Sequence, residues 1–213
     1  MRWLHYCSAF KIPFYIYKLQ KGDAIIYTKY YKNDQSMIIL NGTIYLLKIF
    51  TNKENISLAI LNKNDIISII NNYNYPNHYY KAIALEETYI ISFKWNQIIT
   101  TMNNSPYILN CILTTYQRTF YKYELMSSII THTHIKNRMV QLILILCQEF
   151  GHFHQKSIII PFEISQTELC VIIGTNKITI HKIIKLLCKK MLITYTNRKR
   201  IYIHETFILS YLK

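Results

Sequence analysis

The period of the apolar pattern changes once along this chain, and that change restricts the fold more than any other feature. Up to Lys94, short runs dense in Ile, Tyr and Leu ("AIIYTKYY", "SMIILN", "TIYLLKIF", "ISLAIL" and "YIISF") are separated by turn residues, as in β-strands. Gly22 and Gly42 fall between such runs, where a turn is needed. After Pro106, the residues Leu109, Ile112, Tyr116, Thr119, Tyr123, Met126 and Ile130 recur at alternating steps of three and four, and only Thr119 is not apolar. That is a heptad-like helical seam. Such a helix, about 25 residues at 1.5 Å each, is about 40 Å long. A seam of that length is more than one small roll can use. It lies either along a second copy of the chain, which is the expectation, or against its own fold. Strands in an antiparallel roll or barrel followed by helices make an α+β architecture.

The rest of the chain reads as short, well-marked elements. "THTHIKNRMVQLILILCQEFG" starts a second helix that ends near Gly151, a plausible C-cap, and "KSIIIPFEI" is a short strand. Ser165 to Glu168 form an S-x-x-E capping box, so a helix starts there and runs about two turns to Gly174. Thr175 is the expected N-cap of a following helix, with Ile178, Ile180, Ile183, Ile184 and Leu187 as its buried stripe. Lys177, Thr179, His181, Lys182 and Lys185 then face outward. Two helices joined at one glycine, the second basic outside, match a helix-turn-helix. Ile193 and Tyr195, then Ile201 and Ile203, alternate around Asn197, Arg198 and Lys199 as a β-hairpin does.

Charge supports that reading through its placement. The chain of 213 residues carries a formal charge of +14, which favours polyanionic partners, although a bias towards Ile, Asn, Lys and Tyr also fits an A/T-rich coding sequence. The decisive fact is local. Between Glu168 and Glu205 there is no Asp or Glu, while Lys177, Lys182, Lys185, Lys189, Lys190, Arg198, Lys199 and Arg200 all fall there. A carboxylate beside phosphates would forfeit part of the counterion-release gain. The plain alternative is a solvated lysine face on an ordinary helical hairpin, and it explains neither the capping box nor the acid-free span.

Several classes are expected to be excluded. Five widely spaced cysteines without a C-x-x-C pair read as buried thiols in a reducing compartment. His132/His134 and His152/His154 form H-x-H pairs that read as solvated loop histidines, with no metal site. No Gly-rich phosphate loop, catalytic triad order or paired carboxylates stand in a recognisable context, so no enzyme is expected. No apolar run suggests a membrane partner.

The stretch "ISQTELCVIIGTNKITIHKIIKLL" resembles the helix-turn-helix of the cyclic-AMP receptor/FNR superfamily of transcription regulators. The flanking "RMVQLILILCQEFG" and "MLITYTNRKRIYIH" resemble the nitrogen-control regulators of cyanobacteria and red-algal plastids. "LQKGDAIIY" and "MIILNGTIYLLK" resemble the strand turns of the cyclic-nucleotide-type β-roll. The likeness covers about residues 17 to 205. It implies a β-roll sensor over 1–105, a dimerisation helix over 106–133 and a winged helix-turn-helix over 134–213. It further implies a homodimer reading an inverted repeat in double-stranded DNA near RNA polymerase, in the plastid stroma or otherwise a bacterial cytoplasm. The family's base-reading positions fall on Lys177, Ile178 and Lys182, and the first and third are usually arginine. Phosphate-positioning roles fall on Gln166, Thr167, Thr175, Asn176, Thr179, His181 and Lys185, with Arg198, Lys199 and Arg200 on a wing. The dimer helix would use Leu109, Ile112, Tyr116, Tyr123, Met126 and Ile130. 2-Oxoglutarate is the effector the likeness suggests, with His78, Arg118 and Glu124 as candidate contacts. No other cofactor is implied. Two rival functions stay open: a sensor or scaffold that has lost DNA reading, and a sequence-blind nucleic-acid binder using charge and 19 tyrosines.

Overall fold

The computed structural model describes residues 2–27, 35–67, 78–102, 106–154 and 157–204. The chain divides into two compact units. One comprises residues 1–123 without 55–57, and the other comprises 124–213 with 55–57.

Among the described residues, eight strands, all in the first unit but for the start of the fifth, form two antiparallel sheets. β1 (Phe14–Leu19), β8 (Thr88–Lys94), β3 (Gln35–Asn41) and β6 (Ile66–Ile67) lie in the order β1-β8-β3-β6. β2 (Ala24–Tyr27), β7 (His78–Ala84), β4 (Ile44–Phe50) and β5 (Asn55–Leu61) lie in the order β2-β7-β4-β5. Along β3 the side chains alternate between two cores. Met37 and Ile39 pack inside the roll with Ile44, Leu46, Leu61 and Ile90. Ile38 and Leu40 point the other way, into an outer layer with Ile91, Phe93, Trp3 and Cys7. A strand covered on both faces reads as a continuous apolar run, which is why "SMIIL" shows no alternation. Each fully buried Ile contributes about 1.5–3 kcal/mol, so both layers matter to stability.

Helices supply the outer layer. α1 (Arg2–Ala9) places Trp3 and Cys7, one turn apart, on the first sheet. Sequence alone does not mark this helix, because two buried positions in eight residues make too short a pattern. α2 (Trp95–Met102) follows β8, and α3 runs over Pro106–Thr131 for 26 residues. Pro106 sits at the first helical position, where its missing N–H costs nothing. Trp95 meets Tyr116 of α3 edge to face, ring centroids 5.7 Å apart.

The buried face of α3 differs from the expected seam. It comprises Ile108, Ile112, Thr115, Thr119, Lys122, Met126 and Ile129. Ile112 and Met126, each 3% exposed, are therefore enclosed within the chain and are not the free face expected of dimer contacts. Tyr123 packs against the roll core, while Tyr116 and Ile130 are half-buried. A second apolar stripe is exposed instead: Leu109, Leu113 and Phe120. The two stripes overlap in sequence, and the polar members of the buried face hide it from a pattern search. Those polar residues have a structural reason. Asp65, 0% exposed, takes Lys122 Nζ at 2.8 Å on one oxygen. Arg118 Nε stands 3.1 Å from the other, close enough for an ion pair but not aligned as a hydrogen bond. Asn62 Oδ1 accepts from both cations, and Thr119 Oγ1 accepts the Ile66 N–H at 2.9 Å.

In the second unit, α4 (Ile135–Phe150), α5 (Gln166–Ile173) and α6 (Lys177–Lys189) accompany one antiparallel sheet. Its order is β11 (Ile193–Tyr195), β12 (Ile201–Ile203), β10 (Ser157–Ile159) and β9 (His152–His154). Gly151 is the C-cap of α4 but with φ −66°, so no left-handed turn is involved. It is a glycine because a Cβ there would collide with the Cys147 carbonyl and an Ile158 methyl. His152 and His154 lie on an exposed edge strand and not in a loop, a correction that their alternation by two already favoured. Cys7 and Cys170 are buried, while Cys111, Cys147 and Cys188 are half-buried; all five are free thiols. Burial pushes the Cys7 and Cys147 thiols up to about 11. Among the described residues no helix is long and apolar enough to cross a membrane.

Candidate nucleic-acid interface

The acid-free stretch folds as a helix-turn-helix whose every joint is made locally. Ser165 Oγ accepts the Glu168 N–H at 3.1 Å, and Glu168 accepts the Ser165 N–H in return, completing the capping box. This contact also disposes of the one carboxylate in the segment, because it is held on its own helix end. α5 ends at Gly174 in the left-handed region (φ 74°), with the N–H groups of Gly174 and Thr175 both directed to the Cys170 carbonyl. Thr175 is thus part of the turn. The N-cap of α6 is Asn176, whose Oδ1 accepts the Thr179 N–H at 2.9 Å. The expected cap was one residue early, since Asn caps at least as well as Thr and stands nearer the helix.

α6 buries Ile180, Ile183, Ile184 and Leu187. Ile178 is not part of that stripe; it is 69% exposed. At 3.6 residues per turn it lies about 160° from Ile180, on the same side as His181, Lys182 and Lys185, all exposed. Lys177 is exposed in the first turn. An isoleucine left bare among lysines is a poor surface residue but a good complement to a thymine methyl group in a major groove. Of the proposed phosphate contacts, Thr167 is exposed, while Gln166, Thr175 and Thr179 are half-buried. Asn176 has committed its oxygen to the cap and keeps its amide N–H groups.

The wing is tied to the start of α5. The hairpin of β11 and β12 closes through Thr196 N–H to the Arg200 carbonyl and Lys199 N–H to the Thr196 carbonyl. Ile164, one residue before the cap, donates its N–H to the Lys199 carbonyl and accepts from Tyr195 Oη at 2.8 Å. Arg198, Lys199 and Arg200 are exposed at the tip. Arg138 of α4 braces the other side. Its Nε donates to the His132 carbonyl at 2.7 Å and its Nη1 to the Ile173 carbonyl at 3.1 Å, fixing the end of α5 beside the turn. Arg138 was not singled out as a positioning residue from sequence, because nothing local marks it.

Of the effector candidates, Arg118 in the first unit is held by Asp65 and Asn62, and Glu124 in the second unit is exposed. His78 lies on β7, its ring against Phe50 and Tyr80. Desolvation, and then the nearby Lys48 charge, lower its proton affinity. Lys48 Nζ stands 5.1 Å from the Phe50 ring and 6.0 Å from that of Tyr80. Lys48 and Phe50 share the inward face of β4 with Leu46, and Tyr27 and Tyr123 pack against the same core. Burial raises Tyr123 to about 12, so its hydroxyl stays a donor. Among the described residues Lys48 is a cation on this inner face of β4, and nothing local in the sequence sets it apart from the other lysines.

No family model matches the chain. The chain is 27% identical over 212 residues to an HTH-type transcriptional regulator, ycf28, of Porphyra purpurea, spanning 98% of this chain and 86% of that protein. It is 24% identical over 174 residues to the global nitrogen regulator of a Nostoc species, spanning 81% and 78%. Among solved structures, a transcriptional regulator of the CRP family from Thermus thermophilus superposes with a TM-score of 0.71 at 13% identity, over 92% of this chain and 95% of that one. The fold is the one these regulators have, a β-roll with a long helix and a winged helix-turn-helix. The resemblance to nitrogen-control regulators runs over most of the chain.

Proposed function

We infer that this chain is a sequence-specific DNA-binding transcription regulator, acting on nitrogen-responsive genes as a homodimer. The observation that carries the reading is the outer face of α6. Lys177, Ile178, Lys182 and Lys185 are exposed on a capped helix, the wing presents Arg198 to Arg200, and the only acid in the segment is locked in a cap. Lysines at the helix start can reach guanine acceptors, Ile178 can meet a thymine methyl, and the wing can follow the phosphates. Relatives named as transcriptional and nitrogen regulators support the same reading. A scaffold that had lost DNA reading would have no reason to keep this segment free of acid.

The exposed stripe of Leu109, Leu113 and Phe120 on α3 is the surface proposed for dimerisation, replacing Ile112 and Met126. RNA polymerase is the proposed protein partner at the promoter. The compartment proposed is a plastid stroma or, otherwise, a bacterial cytoplasm. 2-Oxoglutarate is the proposed effector, with Lys48 and His78 on the inner face of the roll as its anchors. Calorimetry on the full chain should show heat that Lys48→Ala removes; no heat into the millimolar range defeats the effector proposal alone.

The DNA reading is tested by Lys177→Ala and Lys182→Ala. Each should weaken binding to the cognate site by about 1–3 kcal/mol and binding to random duplex far less. Equal losses on both DNAs would reduce the two lysines to phosphate contacts.

A further inference from the structure

A cavity of about 520 Å³ opens beside α3 in the first unit, on the outer side of the roll. Its wall is aromatic and apolar: Trp3 and Tyr6 from α1, Leu40 from β3 and Cys111 from α3. Leu40 and Cys111 belong to the outer layer, so the space lies on the other face of the first sheet from the roll core of Met37, Ile39 and Ile90. Its polar side holds Lys63, Asn64, Asn110, Thr114, Thr115 and Arg118, and none of the described residues lining it is a carboxylate. Around α3 the residues Asn110, Thr114 and Arg118 lie about 120° from Leu109, Leu113 and Phe120. The cavity and the exposed stripe therefore lie on different faces of α3.

We propose that this cavity binds a small aryl carboxylate, its rings against Trp3 and Tyr6 and its carboxylate on Arg118 and Lys63. The volume lies in the range of small-molecule sites. A flat ring system suits a wall of aromatic faces and edges. Arg118 already uses Nε towards Asp65 and Nη2 towards Asn62, and a guanidinium has further N–H donors for a second carboxylate. An uncharged apolar guest would cover the Lys63 charge and the remaining Arg118 N–H donors without pairing them, which is unfavourable. Inorganic phosphate would leave the aromatic wall wet. The site rests on neither the DNA reading nor the 2-oxoglutarate proposal.

Calorimetry on the full chain with 2-naphthoate and its uncharged amide tests this. The acid should bind about tenfold or more tighter than the amide, the difference one charge-assisted contact makes. Lys63→Gln, at an exposed position, should remove most of that preference and leave the amide unchanged. Thr114→Trp, also at an exposed position, should fill the space and abolish binding of both. Lys48→Ala should change neither. Equal affinity for acid and amide, absence of heat from both, or loss in Lys48→Ala with retention in Thr114→Trp would each overturn the proposal. Should the Thr114 variant melt early, the Lys63 comparison decides by itself.

Discussion

At the scale of single residues, the helix-turn-helix depends on a few conformations that only certain side chains permit. Gly174 is at φ 74°, and the nearest atom a Cβ would meet is Arg138 Nη1 at 3.7 Å. There is room for a methyl group, so the cost of Gly174→Ala is backbone strain alone, about 1–2 kcal/mol. A urea titration should show that loss as a lower midpoint at unchanged slope, and an unchanged midpoint would mean the turn can relax. Gly174 and the capping box were legible in the sequence because both are local chemistry, with partners three or four residues away. Gly151 was legible as a helix end but not for its reason, since the Ile158 methyl that excludes a Cβ comes from another strand. Ile178 shows the converse. Its isoleucine side chain suggested the buried stripe, yet the helical period places it opposite Ile180, and only the fold shows it bare.

At the scale of elements, α3 was predicted for its length and start, while its faces were misassigned. Reading apolar residues alone selects a line midway between two stripes, because the true inner face contains Thr115, Thr119 and Lys122. No sequence pattern announces that a lysine at 3% exposure is balanced by Asp65, 57 positions earlier. Asp65→Asn would leave Lys122 charged without that carboxylate. Stability should fall by about 3 kcal/mol, the lower end of the cost of breaking a buried pair, seen as a lower melting temperature. Retained stability would mean that the pair contributes little beyond its own desolvation. The exposed stripe makes an independent prediction. Phe120→Asp should raise the dimer dissociation constant by at least tenfold, since aromatic anchors at interface centres cost about 2 kcal/mol or more when lost. Sedimentation at matched concentrations checks this, and unchanged association would move the dimer contact elsewhere.

At the scale of the whole molecule, the order of elements was readable because each change of pattern has a local mark. These marks are the strand runs to Lys94, Pro106 at the helix start, the capping box at Ser165 and the basic hairpin tip at Arg198. What sequence could not supply is the gathering of distant side chains. Lys48 beside His78, Arg138 against the end of α5 and the cavity beneath Trp3 all join residues far apart in the chain. On this reading the fold presents a sequence-reading helix and not merely a basic surface. The most direct test of that is selection of bound fragments from genomic DNA, followed by titration of the recovered site against random duplex at one fixed salt concentration. The expected result is an inverted repeat with half-sites about 34 Å apart and a preference of about 10³ or more over random DNA. A ratio near unity, with no repeat recovered, would contradict it.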